Sequence, residues 1–230
     1  GRSDRSGLRT VQLLFAGAVL AAGVLDIARP DVFRFIFGEL DPLLVTARLA
    51  SLGAVSLHRL VRRGWFGVAT GRFRDHLRVA VLGALLAGPA IVMDLLGGFP
   101  RDLNVALPAA LLFYPAIAVA AESAFHLIPL ALLSAFRQPP AHSSSSPPLL
   151  VLGITALIEP VFQMAFGSGG APAWITVAVG LHLLLFSVVA LAIFGRLGFL
   201  GMCMFRLGYY LSWHLVWGAF RIPLLFGGDV

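Results

Sequence analysis

Apolar residues run through this chain in long blocks, separated by short stretches that hold most of its Gly, Pro and Arg. A helix needs about 20 apolar residues to cross the hydrocarbon of a bilayer. Read against that length, the blocks predict helices at 8–28, 43–60, 79–97, 106–136, 149–166, 174–194 and 199–226. The second is interrupted by Arg48 and His58, and the fourth is broken by Pro115 and Pro129. The expected fold is therefore all-α, a polytopic membrane helix bundle of about seven transmembrane helices in a single domain.

Between the blocks, 138–148 reads Gln-Pro-Pro-Ala-His-Ser-Ser-Ser-Ser-Pro-Pro, a flexible linker in which His142 is solvated. Gly97-Gly98-Phe99-Pro100 is a turn that ends the third block. The first apolar run is too long for the core of a secretory signal, so it reads as a span.

Composition makes a soluble reading untenable. Of the 230 residues 59% are hydrophobic and 12% charged, against about 25% charged in soluble domains. A chain of this size cannot hide so much apolar surface within itself, so lipid is its solvent and its first partner. That excludes a soluble enzyme and a nucleic-acid-binding module, despite a net charge of +6. All 17 basic residues are Arg, and they gather at block ends and in short loops as topology signals and anionic-lipid contacts.

The loop carrying Arg62, Arg63, Arg72, Arg74 and Arg78, opposed by Asp75, is expected on the cytoplasmic side. Counting back puts the N-terminus, with Arg2, Arg5 and Arg9, in the cytoplasm too. Counting forward puts Arg137 and Arg196 there, and the 167–173 loop and the C-terminus outside. The absence of Lys and the abundance of Ala and Gly suggest a GC-rich bacterial genome, and so a bacterial inner membrane. Cys203 stands alone and reads as a small packing residue. Nothing in the pattern fixes an oligomeric state.

An ionisable side chain near the bilayer centre is costly and is a functional hypothesis by default. Glu122, Glu159, His182 and His214 lie within blocks, and Asp94 near a block end is expected to be interfacial. Glu122 and His126 are spaced i, i+4, as are Glu159 and Gln163, so each pair shares a helix face. Turning those faces and His214 toward one another gives two carboxylates and two imidazoles in a dry pocket. Two His and a carboxylate hold Zn with an open position for water, while a second carboxylate serves as base. Without metal, a desolvated glutamate accepts the proton of water directly. Both routes are hydrolysis. Equally, the same groups make an interhelical hydrogen-bond network that only locks the bundle. His182 is a further ligand candidate, and Arg206 and Arg221 are expected to snorkel to the two surfaces.

The order of these residues resembles the CPBP family, the CAAX-protease and bacteriocin-processing group of intramembrane endopeptidases. Ala121-Glu122-Ser123-Ala124-Phe125-His126 is similar to its first motif, Glu-Glu-x-x-x-Arg, and Ile158-Glu159-Pro160-Val161-Phe162-Gln163 stands at the place of its second. Ser212-Trp213-His214-Leu215-Val216-Trp217-Gly218 looks like the third, with Gly218 where the family has Asn or a similar residue. The resemblance spans 112–225.

It implies an intramembrane hydrolase acting on a membrane-associated peptide or protein. Glu122 would activate water with Glu159 assisting as a catalytic residue, His126 and His214 would bind or polarise it (holding Zn together with Glu122 if metal is used), and Gln163 and His182 would support. The alternatives are a non-catalytic membrane scaffold or regulator and, third, a small proton-coupled transporter using Glu122 and Glu159 as a relay.

Overall fold

The computed structural model describes residues 2–135, 147–167 and 172–227. All regular structure among them is helical, and six helices are long and apolar enough to cross a membrane. These are α1 (Arg2–Ala28), α2 (Pro42–Arg62), α3 (Phe73–Gly97), α4 (Ala110–Ala135), α5 (Leu149–Phe166) and α6 (Ala173–Phe226). Most of the 138–148 linker expectation falls outside the described residues, as do 168–171 of the 167–173 loop.

Local chemistry sets the helix starts. The Asp41 carboxylate accepts from the Leu44 amide at 2.7 Å, and Pro42 follows at the first helical position, where its missing N–H costs nothing. Asp75 accepts from the Arg72 amide at 2.9 Å and fixes the first turn of α3. Pro148 and Pro172 immediately precede α5 and α6.

Helix α2 runs unbroken past Arg48 and His58, because both face outward and need no partner in the core. Nor do Pro115 and Pro129 break α4. Its irregularity is instead a π-helical segment, Ser123–Leu127. A second such segment, Leu211–Trp217, lies in α6.

At 54 residues α6 is far longer than a bilayer is thick, and it is folded in two. Gly198, at φ 77° and ψ −174°, breaks it. The arms before and after that glycine lie antiparallel, since Phe186 meets Phe205 at 4.7 Å and His182 meets Tyr209 at 5.7 Å between ring centroids. The break leaves backbone groups open, and the segment after α2 fills them. Gly67 and Val68 carbonyls accept from the Phe199 and Leu200 amides, and the Thr70 amide donates to Leu197.

Helix α4 is the central element: 67% of its apolar window is buried, against 28–44% in the other five. It is flanked by α1 and α2 on one side and by α5 and the second arm of α6 on the other. Helix α3 lies along α6, with Gly83 backed onto the Phe205 carbonyl and Gly208 onto that of Ala80. Leu13, Leu20, Leu85, Leu149, Leu181 and Phe220 are exposed on the outer surface, as expected where lipid is the solvent.

Candidate functional site

Three elements bring the central polar residues together. Arg206 is the eighth residue after the break at Gly198, and it points into the bundle. Its Nε donates to Glu122 Oε1 at 2.6 Å. Nη1 and Nη2 donate to the two oxygens of Glu159 at 2.8 and 2.7 Å, in the fork geometry that suits a guanidinium and a carboxylate. Nη1 also reaches the Tyr210 hydroxyl at 3.4 Å, and the Phe186 ring lies 4.7 Å from the guanidinium carbon. Arg206 thus does not snorkel. It is 2% exposed, and it ties α4, α5 and α6 at one point.

The remaining oxygen of Glu122, Oε2, meets His126 Nδ1 at 2.6 Å. Both residues are fully buried, and His126 Nε2 has no hydrogen-bond partner. The i, i+4 spacing therefore does what the sequence implied for this pair, although His126 sits inside the π-helical segment. Ser123 opens that segment, with its hydroxyl bonded to the Val119 carbonyl at 2.7 Å and its side chain against Gly53 of α2.

The other expected members lie elsewhere. Gln163 is half-buried, and its Oε1 is directed at Gly167 at the end of α5, away from the carboxylates. His182 approaches the Tyr209 hydroxyl at 3.1 Å across the α6 hairpin. His214 is stacked on Tyr114 at 4.5 Å and edge-on to Tyr210 at 5.1 Å, and its Nδ1 meets Asn104 Oδ1 at 2.8 Å. Tyr210 therefore stands between His214 and Arg206, so the two imidazoles do not share one centre.

Asn104 is the residue the sequence did not announce. It lies between α3 and α4, outside every apolar block, and reaches His214 over 110 positions of chain. Gly218 makes room for it: a Cβ there would lie 2.7 Å from Asn104 Nδ2.

A second buried ion pair joins α3 to the end of α6. Asp94, expected at the interface, is 1% exposed, and Arg221, expected to snorkel, is fully buried. Arg221 Nε and Nη2 donate to the two Asp94 oxygens at 2.8 and 2.9 Å, and the other N–H groups bond the carbonyls of Phe99, Pro100 and Arg101. Trp217 Nε1 and the Phe99 amide complete the Asp94 shell. Every donor of this arginine is used, so the 98–101 turn is fastened to α6.

Zn does not fit this donor set. The guanidinium of Arg206 stands between the two carboxylates and binds three of their oxygens, while the fourth is on His126. Among the described residues no three His, Cys, Asp or Glu side chains converge as a metal-binding group. Comparison of the chain with models of known families, with curated proteins and with solved structures returns no match.

Proposed function

We propose that the chain is an integral protein of a bacterial inner membrane that crosses the bilayer seven times, and that Glu122 and His126 form the base of a metal-free intramembrane hydrolase of the CPBP type. Counting the two arms of α6 as separate crossings makes seven. The contacts between Gly67–Thr70 and Leu197–Leu200 then gather Arg62, Arg63, Arg72, Arg74, Arg78 and Arg196 at one end of the bundle. The other end is mixed, with Arg29, Arg34 and Arg101 beside Asp31, Glu39, Asp41 and Asp102, so it carries the smaller arginine excess. By the positive-inside rule the arginine-rich end and the N-terminus face the cytoplasm.

The observation that carries the hydrolase reading is the Glu122–His126 pair, with Nδ1 on the carboxylate and a buried, unpartnered Nε2. A carboxylate that holds the Nδ1 proton fixes the tautomer in which Nε2 is the acceptor. Nε2 then takes a proton from water, the resulting hydroxide adds to the carbonyl of a membrane-associated peptide or protein, and the imidazolium returns the proton to the leaving amine. Glu122 has no oxygen left for water itself, so its work passes to His126, while Arg206 and Glu159 hold the carboxylate in place. Placement of both histidines in π-helical segments supports a functional origin, because such segments recur at functional sites.

Purified protein in liposomes with membrane-tethered, fluorescence-quenched peptides tests this. Wild type should cleave a subset of them, and His126→Gln and Glu122→Gln should each lower the rate by about 10²-fold or more. Absence of cleavage by folded wild type across the set would remove the hydrolase.

That outcome would leave the second reading, a non-catalytic scaffold. It has its own support, because all four carboxylate oxygens of Glu122 and Glu159 are bonded within the protein.

A further inference from the structure

At the arginine-rich end a cavity of about 290 Å³ lies between the last turns of α2 and α4, lined by Arg59, Arg62, Arg63, Ala131, Ser134 and Ala135. We infer that this cavity binds the phosphate of an anionic phospholipid headgroup. Positions 59, 62 and 63 are related by i, i+3 and i, i+4, so the last turn of α2 and the Arg63 that caps it bring three arginines to one side. Among the described residues no acidic side chain lines the cavity. Among the described residues no ion pair involves Arg59 or Arg62.

Arg63 has a different part. It donates to the Ser134 carbonyl, which closes the gap between the two helices, and its guanidinium carbon lies 5.6 Å from the centre of the Trp65 ring. With that wall fixed, Arg59 and Arg62 supply the charge.

The position selects the ligand. The cavity lies where two membrane-crossing helices end, at the depth of headgroups, and Ala131 and Ala135 give it an apolar wall. Leu132, 59% exposed, lies beside it where an acyl chain would run. Basic pockets between helix ends on the cytoplasmic side are suited to anionic headgroups, and each Arg adds attraction to a phosphate. A free phosphate offers the same oxygens without the acyl chains, and the test separates the two.

Thermal unfolding of the full chain in neutral detergent would be followed during titration with short-chain phosphatidylglycerol, short-chain phosphatidylcholine and inorganic phosphate. Phosphatidylglycerol should raise the midpoint saturably while phosphatidylcholine does not. In Arg59→Gln/Arg62→Gln the apparent Kd should rise roughly tenfold or more, and in Arg74→Gln/Arg196→Gln, which removes equal charge from the same end, it should not change. Both pairs are exposed, so the midpoints without lipid should match wild type.

An equal loss in the two variants would replace the pocket by diffuse surface charge and overturn the inference. So would the absence of a saturable shift. A shift of the same size with inorganic phosphate alone would keep the phosphate site but overturn the lipid as its ligand.

Discussion

Arg206 is bonded to two buried carboxylates at once, so its removal should cost more than any apolar truncation nearby. Arg206→Met leaves Glu159 without its ionic partner and Glu122 with His126 alone, and a loss of about 3–5 kcal/mol is expected from denaturation in detergent micelles. Adding Glu122→Gln and Glu159→Gln to that variant should recover most of the loss, because the unpaired charges are then gone. A smaller substitution addresses His214. Gly218→Ala puts a methyl group 2.7 Å from Asn104 Nδ2, inside van der Waals contact, so the amide should leave the imidazole, seen as a change in the ¹⁵N shift of His214 Nδ1.

The Glu122–His126 contact was legible in the sequence because it is local and obeys helical spacing. Arg206, Asn104 and Arg221 were not, because their partners lie 84, 110 and 127 positions away. An arginine near a block end also looks the same in sequence whether it faces water or a buried carboxylate. Gln163 was misplaced for the opposite reason: sharing a face with Glu159 says nothing about which way a long side chain leans.

Among the helices, the closest approach is between α3 and the second arm of α6, where two glycines let backbone meet backbone. Gly83→Ala and Gly208→Ala should each destabilise by about 1–3 kcal/mol through overpacking. Gly195→Ala, whose added methyl meets nothing, should be neutral in the same denaturation assay. The apolar blocks anticipated these elements well, and Leu149–Phe166 coincides with its block. Elsewhere the helices extend into polar residues, as at Phe73–Gly97, because capping and not hydropathy decides where a helix starts. The π-helical segments left no trace in the pattern. They lie in helices apolar on nearly every face, where an inserted residue changes no visible period.

For the whole molecule, the antiparallel arms of α6 decide how many crossings there are and where each loop emerges. In a Cys203→Ser background, Arg74→Cys and Arg196→Cys should react with a membrane-impermeant maleimide only after the cytoplasmic face is opened. Glu39→Cys and Asp102→Cys should react from the outside. Labelling of Arg196→Cys from the same side as Asp102→Cys would reduce the crossings to six. Cys203 itself is buried and should not react in the folded protein. Composition predicts that lipid surrounds this chain, and the arginine distribution predicts which end faces the cytoplasm. The Gly195-Arg196-Leu197-Gly198 interruption between the blocks at 174–194 and 199–226 already divides this segment in two, and the structure puts the break at Gly198.

The hydrogen bonds that Gly67, Val68 and Thr70 make to the break at Gly198 have a consequence for biogenesis. The amides of Phe199 and Leu200 find their acceptors in a segment synthesised more than a hundred residues earlier. Until the last hairpin leaves the ribosome, that early segment waits at the membrane surface with its carbonyls turned to water. When the hairpin docks, these backbone hydrogen bonds, with the Thr70 hydroxyl on the Arg196 carbonyl and the Phe66 ring stacked on Phe194, join the first and last thirds of the chain. Assembly of this bundle is therefore completed from its C-terminal end, and a nascent chain halted before residue 199 lacks the clasp that holds its earlier helices to its later ones.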